Sequence, residues 1–195
     1  KVNYMHKQID IIALKQLLKN HSITLVGIMG VGKSTIGSTL ANYLQLPFYD
    51  SDREIEKSSS LSINDLFSQY GENEFRALEK RVIERILKET PIILATGGGA
   101  FINSETRNII KKNSITIWLK ADINILLTRL QRRNTRPMLL GKNHRKVVQN
   151  LFAKRREFYN QADIRINCGK QDKDKVTFTV LNALQNYLNQ NNAII

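Results

Sequence analysis

Residues 27–34 read Gly-Ile-Met-Gly-Val-Gly-Lys-Ser and fill every fixed position of the pattern G-x-x-x-x-G-K-[ST]. The apolar run "ITLVG" (23–27) leads into it, and the amphipathic segment "KSTIGSTLANYL" (33–44) leads out. A strand that ends in a glycine-rich loop and passes at once into a helix presents backbone N–H groups at the helix N-terminus, where they can wrap a phosphate. On this reading Gly30, Val31, Gly32, Lys33, Ser34 and Thr35 hold the phosphates of a nucleotide. Lys33 reaches the β and γ phosphates, and the Ser34 hydroxyl ligates Mg²⁺. The segment therefore predicts both a nucleotide site and a strand–loop–helix unit within the fold.

Four more short runs, "PFY" (47–49), "IILA" (92–95), "ITIWL" (115–119) and "DIRIN" (163–167), are apolar and rich in β-branched residues, as strands covered on both faces are. Helical patterns separate them. In "NEFRALEKRVIERILKE" (73–89), Phe75, Leu78, Val82, Ile83, Ile86 and Leu87 make one apolar stripe. The alternation predicts an α/β fold, a parallel sheet with helices on both faces. A length of 195 residues fits one such domain, over 23–190, after an N-terminal helical extension over 1–22 that carries Ile11, Leu14 and Leu18. Residues 133–146, "RNTRPMLLGKNHRK", set Pro137 and Gly141 among cations and read as a mobile lid. The final "NQNNAII" reads as a frayed tail.

Thirty Lys and Arg against 17 Asp and Glu give a net charge of +13, which favours anionic partners such as nucleotides, phosphorylated metabolites, nucleic acid or anionic lipid. The single cysteine, Cys168, excludes an internal disulfide and fits a reducing compartment. No apolar run approaches a membrane span, and Lys7, Asp10 and Lys15 interrupt the N-terminus where a signal peptide is unbroken. The expected location is cytoplasmic, with no membrane partner.

Against that basic background, "PFYDSDREIE" (47–56) sets Asp50 and Asp52 two residues apart at a strand end. In an extended segment such residues face the same way and repel unless a cation or proton lies between them. Asp50 opening a turn and Asp52 capping a helix near Arg53 is one explanation. A metal is another. Most enzymes built on this loop need an acid near the magnesium, often at the end of a later strand, and "IILATGGGA" ends in Gly97, Gly98 and Gly99 without one, which leaves Asp50 at the end of the second strand as the nearest candidate. No N-K-x-D base-reading motif is present, so the phosphoryl acceptor is expected to be a small molecule. Arg76 in "EFRALE" and Arg155 in "AKRREFY" complete the features expected near the strand ends, although Arg76 could pair with Glu79 and Arg155 could belong to a solvated basic face.

Taken in order, "GIMGVGKST", "YDSD", "GENEFRALE", "GGGA", "TRPML" and "AKRREFY" make the chain similar to the shikimate kinases from about Ile23 to about Asn167. The resemblance implies a P-loop NTPase-type fold with five parallel strands, and transfer of the γ-phosphoryl group of ATP to the 3-hydroxyl of shikimate in aromatic amino-acid biosynthesis. It implies that Asp52 holds the acceptor hydroxyls, Arg76 and Arg155 the carboxylate, and Gly97, Gly98 and Gly99 the underside of the ring. Arg136 matches the lid arginine and Arg129 a side chain near adenine; Asp50 and Ser34 would hold Mg²⁺. Two departures stand out. Glu157 occupies a position where the family has proline, with Arg156 directly after Arg155, and "NCGKQDKDK" lacks the proline often found beside adenine.

Two rival readings are a gluconate-type small-metabolite kinase, whose substrate also carries a carboxylate, and a nucleic-acid-binding ATPase. Basic residues spread without interleaved aromatics, with only Tyr159 beside a cationic cluster, count against the second. The expectation is a monomer acting on ATP and shikimate, with no nucleic-acid partner.

Overall fold

The run that leads into the glycine loop becomes the central strand. In the computed structural model, which describes residues 9–131 and 144–192, β1 (Ser22–Val26) has β3 (Ile93–Ala95) on one side and β4 (Ser114–Lys120) on the other. β2 (Phe48–Asp50) and β5 (Ile164–Asn167) form the two edges, giving a parallel sheet in the order β2-β3-β1-β4-β5. Each of the five apolar runs forms one of these strands. All five residues of β1 are buried, and its polar side chains are paired: Thr24 Oγ1 lies 2.7 Å from Ser114 Oγ, and Ser22 Oγ accepts from the Ile92 N–H at 3.1 Å.

The connections place the helices. From β1 the chain runs through α2 (Lys33–Leu44) out to the edge strand β2. It returns through α3 (Ser51–Ser59) and α4 (Ile63–Ile86) to β3, and then crosses by α5 (Ser104–Asn113) to β4. Right-handed crossovers made in opposite directions put their helices on opposite faces, so α2 lies across the sheet from α4 and α5. α6 (Ile123–Gln131) and α7 (His144–Tyr159) connect β4 to β5, and α8 (Lys173–Asn192) packs against α2 and β5.

At three places the structure departs from the sequence reading. The helix expected over 73–89 is the second half of α4, which starts at Ile63 behind a Ser62 cap accepting from the Asp65 N–H. Gly71 interrupts it with φ 78° and ψ 176°, a backbone that glycine adopts readily, and this kink hides the first half from a periodicity search. The tail is not frayed through 189–192, because the stripe Val176, Val180, Leu184 and Leu188 carries α8 on to Asn192. Strand β2 extends to Asp50, so Asp52 belongs to α3 and not to an extended segment.

Within the N-terminal segment, α1 (Ile11–Leu18) packs on α8 and α2 and buries Leu14 completely and Leu18 almost so. Residues 133–143 of the expected lid, Arg136 among them, lie outside the described residues, whereas 144–146 open α7. No described helix is long and apolar enough to cross a membrane.

Because Leu14 belongs to the same core as the sheet, Leu14→Ala should cost about 2–5 kcal/mol. Urea unfolding followed by circular dichroism measures this. A loss below about 0.5 kcal/mol would make α1 a detachable appendage.

Candidate active site

Leu25 of β1 and Asp50 of β2 both pair with Ala95 of β3, so the three strands end level with one another. The glycine loop, the Gly97–Gly99 turn and the segment Asp50-Ser51-Asp52 therefore emerge side by side at the carboxyl edge of the sheet, where ligands of open α/β sheets bind. Met29, Lys33, Ser34, Asp50, Asp52 and Gly98 line a single cleft there.

The loop has the backbone its sequence predicts. Gly32 caps α2 at φ 107°, a conformation costly for any residue with a Cβ. Val31 is buried beneath the loop, Gly30 lies at its surface, and Thr35 is exposed in the first turn of α2. Lys33 is 8% exposed, and its ammonium donates to the carbonyls of Gly27 (2.7 Å) and Ile28 (3.1 Å).

Ser34 Oγ donates to Asp50 Oδ2 at 2.5 Å, while Asp50 Oδ1 accepts the Asp52 N–H at 3.1 Å and so caps α3. The cap belongs to Asp50, not to Asp52, and it leaves the second oxygen facing Ser34. A hydroxyl and a carboxylate oxygen held together are hard donors of the kind Mg²⁺ takes, and that ion usually draws its remaining ligands from phosphate and water. Among the described residues there is no cluster of three or more His, Cys, Asp or Glu that would suit a fully protein-bound metal.

Around the glycine turn the packing is tight. The Gly97 N–H donates to the fully buried Ser51 Oγ at 2.9 Å. A methyl group on Gly97 would stand 2.5 Å from Asp52 Oδ1 and 2.9 Å from Glu79 Oε1, and one on Gly99 would stand 2.3 Å from Arg76 Nη2. Arg155 Nη1 donates to the Gly98 carbonyl at 3.1 Å, whereas Arg156 is exposed. Two arginines from different helices thus reach consecutive residues of one turn. Arg129 falls on α6 with its side chain outside the described ones, as is all of Arg136.

Arg76 does pair with Glu79, at 2.6 Å, and more loosely with Glu72, and its guanidinium lies 5.1 Å from the centre of the Phe75 ring. This is no surface pair. Glu79 is 1% exposed, and its Oε1 has no hydrogen-bond partner. Burial above all, and then the charge of Asp52, push its carboxyl above the ordinary value, while Arg76 and Arg155 pull it back. Sequence reasoning treated Glu79 only as a possible surface partner. The signal was available: position 79 falls between Phe75 and Ile83 on the apolar stripe, where a carboxylate has no bland reason to be.

Comparison with known proteins fits this arrangement. A family model described as "Shikimate kinase" matches residues 29–185. A shikimate kinase of Bartonella henselae is 47% identical over 171 residues, covering 88% of this chain and 81% of its own. One from Brucella canis is 42% identical over 193 residues, covering 99% of this chain and 96% of its own, so the alignment takes in the N-terminal segment as well. Among solved structures, a shikimate kinase from Acinetobacter baumannii in complex with shikimate superposes with a TM-score of 0.83 at 30% identity, covering 89% of this chain and 97% of that one.

Folded Glu79 binds its proton more tightly than the unfolded side chain, whose ordinary value is 4.5. Its contribution to stability is full below that value and is lost as pH rises through the higher folded value. Wild type should therefore lose stability relative to Glu79→Gln as pH rises above 4.5. Urea unfolding of both chains across that range reads the difference; a gap that moves towards wild type with rising pH would mean that the Arg76 pair outweighs burial.

Proposed function

The chain belongs to the shikimate kinase family, and on that premise we infer that it transfers the γ-phosphoryl group of ATP to the 3-hydroxyl of shikimate, giving shikimate 3-phosphate and ADP. One observation carries the residue assignments. The Ser34–Asp50 pair and Asp52 share a cleft with Lys33, and the facing glycine turn is met by Arg76 and Arg155.

In this reading Asp52 accepts a hydrogen bond from the attacking hydroxyl, whose oxygen bonds to the γ-phosphorus as the bond to the β,γ-bridging oxygen breaks and ADP leaves with the electron pair. Phosphoryl transfer is loose and the nucleophile loses its proton late, so Asp52 acts chiefly by positioning and takes the proton at the end. Lys33 gives up its loop carbonyls for phosphate oxygens and offsets their charge, with Arg136 assigned to the same task and Arg129 to the adenine side on sequence alone. Ser34 and Asp50 would hold Mg²⁺, which supplies further neutralisation of the phosphate charge. Arg76 and Arg155 address the carboxylate as forked donors, and Gly97–Gly99 lie beneath the ring.

Gluconate also carries a carboxylate, so the arginines alone do not separate the two acids; identity of 42–47% to shikimate kinases favours shikimate. The nucleic-acid reading loses its one aromatic, because Tyr159 is fully buried and offers no face to a base. We place the enzyme in the cytoplasm as a monomer, consistent with its lone buried cysteine.

A coupled ADP-release assay should respond to shikimate and not to gluconate or single-stranded RNA; release driven by gluconate would overturn the substrate assignment. Lys33→Ala should cost on the order of 100- to 1,000-fold in kcat, the scale of losing a group aimed at transition-state charge.

The two aspartates should separate. Asp52→Asn should lose most turnover while ATP still binds, whereas Asp50→Asn should raise the Mg²⁺ concentration needed for half-maximal rate. Variants with normal kinetics and only lowered melting temperatures would reduce Asp50 to a helix cap and Asp52 to a surface acid.

A further inference from the structure

Tyr159 ends α7, four residues after Arg155. It is fully buried, and its ring centre lies 5.9 Å from that of Trp118 on β4. Packing accounts for the ring but not for the hydroxyl. Tyr159 Oη donates to the carbonyl of Gly98 at 2.5 Å, the same oxygen that accepts from Arg155 Nη1 at 3.1 Å. Burial pushes the phenol up to about 12, so it stays a donor throughout the neutral range. On its other side Gly98 lies against the phosphate loop: a methyl group there would stand 3.3 Å from the Met29 nitrogen and 3.8 Å from the Gly27 oxygen.

Arg155 thus faces the Gly98 carbonyl, the Tyr159 hydroxyl, with which it also hydrogen-bonds, and, on the reading above, the carboxylate of the acceptor substrate. Were Arg155 the sole donor to Gly98, turning towards a substrate would strip a part-buried carbonyl of its hydrogen bond, a loss charged against binding. A second donor removes that conflict. We propose that Tyr159 is a positioning residue for acceptor binding: its hydroxyl holds the Gly98 carbonyl, and with it the glycine turn, so that Arg155 is free to engage the carboxylate. The inference rests on the assignment of Arg155 to the carboxylate.

Tyr159→Phe keeps the ring against Trp118 and removes only the O–H. With shikimate, kcat/KM should fall about 10-fold, mostly through KM, while the Kd for ATP moves less than about twofold. With the carboxamide of shikimate, which makes a weaker claim on Arg155, the fall should be at most about threefold. In an Arg155→Lys background the same substitution should again add no more than about threefold, because both changes act through one carbonyl. A lower melting temperature with unchanged kcat/KM would overturn the proposal. So would equal losses for acid and amide, full additivity with Arg155→Lys, or a Phe variant that fails to fold or to bind ATP, since each puts the hydroxyl in the fold and not in the acceptor site. A wild-type enzyme without shikimate-dependent ADP release would remove the premise itself, an outcome distinct from a normal wild type with an unaffected Phe variant.

Discussion

Four charged side chains close on the Gly97–Gly99 turn, and they fit there because the turn has no side chains of its own. Asp52 and Glu79 press on Gly97, Arg76 on Gly99 and Arg155 on Gly98. Any Cβ at Gly97 or Gly99 would stand closer than 3.0 Å to one of these groups. Two acids and two guanidinium groups meet there, so Asp52 has cations beside it in place of a lone like-charged neighbour. Glu79 is the costly member. Burying a carboxylate with one oxygen unpaired is expensive, and what the pair with Arg76 contributes in return is a guanidinium held in a fixed direction.

Asp50 carries a different constraint. One of its oxygens caps α3 and the other meets Ser34, so the start of α3 is tied to the start of α2 through a single carboxylate. Strand pairing already sets β2 and β1 level through β3. The carboxylate extends that register past the strand ends and into the cleft. The cap-and-turn explanation and the metal explanation of Asp50 are therefore compatible, since the two use different oxygens.

Much of this was legible in the sequence. The glycine loop, the five apolar runs and the order of motifs fixed the strands and the strand-to-helix junctions, because a buried parallel strand and a phosphate-binding turn each impose local rules. Strand order was not legible from periodicity, which says which faces are buried and nothing about which strand lies beside which. The first half of α4 was hidden by Gly71, and the end of α8 by a polar composition that one buried leucine, Leu188, overrides. Tyr159 read as an aromatic among cations, yet the fold turns it inward. Spacing does not separate Arg155 from Arg156, but helical phase on α7 does: the residue four before the buried Tyr159 shares its face and reaches Gly98, whereas Arg156 is exposed.

Strand pairing sets how far apart the glycine loop and the glycine turn lie. Little space separates the glycine turn from the glycine loop, since a methyl group on Gly98 would stand 3.3 Å from the Met29 nitrogen and 3.8 Å from the Gly27 oxygen. Thr96, one residue past β3, donates both its N–H and its hydroxyl to the Leu25 carbonyl of β1, at 3.2 and 3.1 Å, and pins the roots of the two segments together. On the proposed reading the nucleotide and acceptor sites are rooted on adjacent strands, and only the side chains that reach from those roots adjust the span between the reactants. In-line transfer is sensitive to errors of about 1 Å in that span, which is reason enough for the fold to build it from adjacent strands of a rigid sheet.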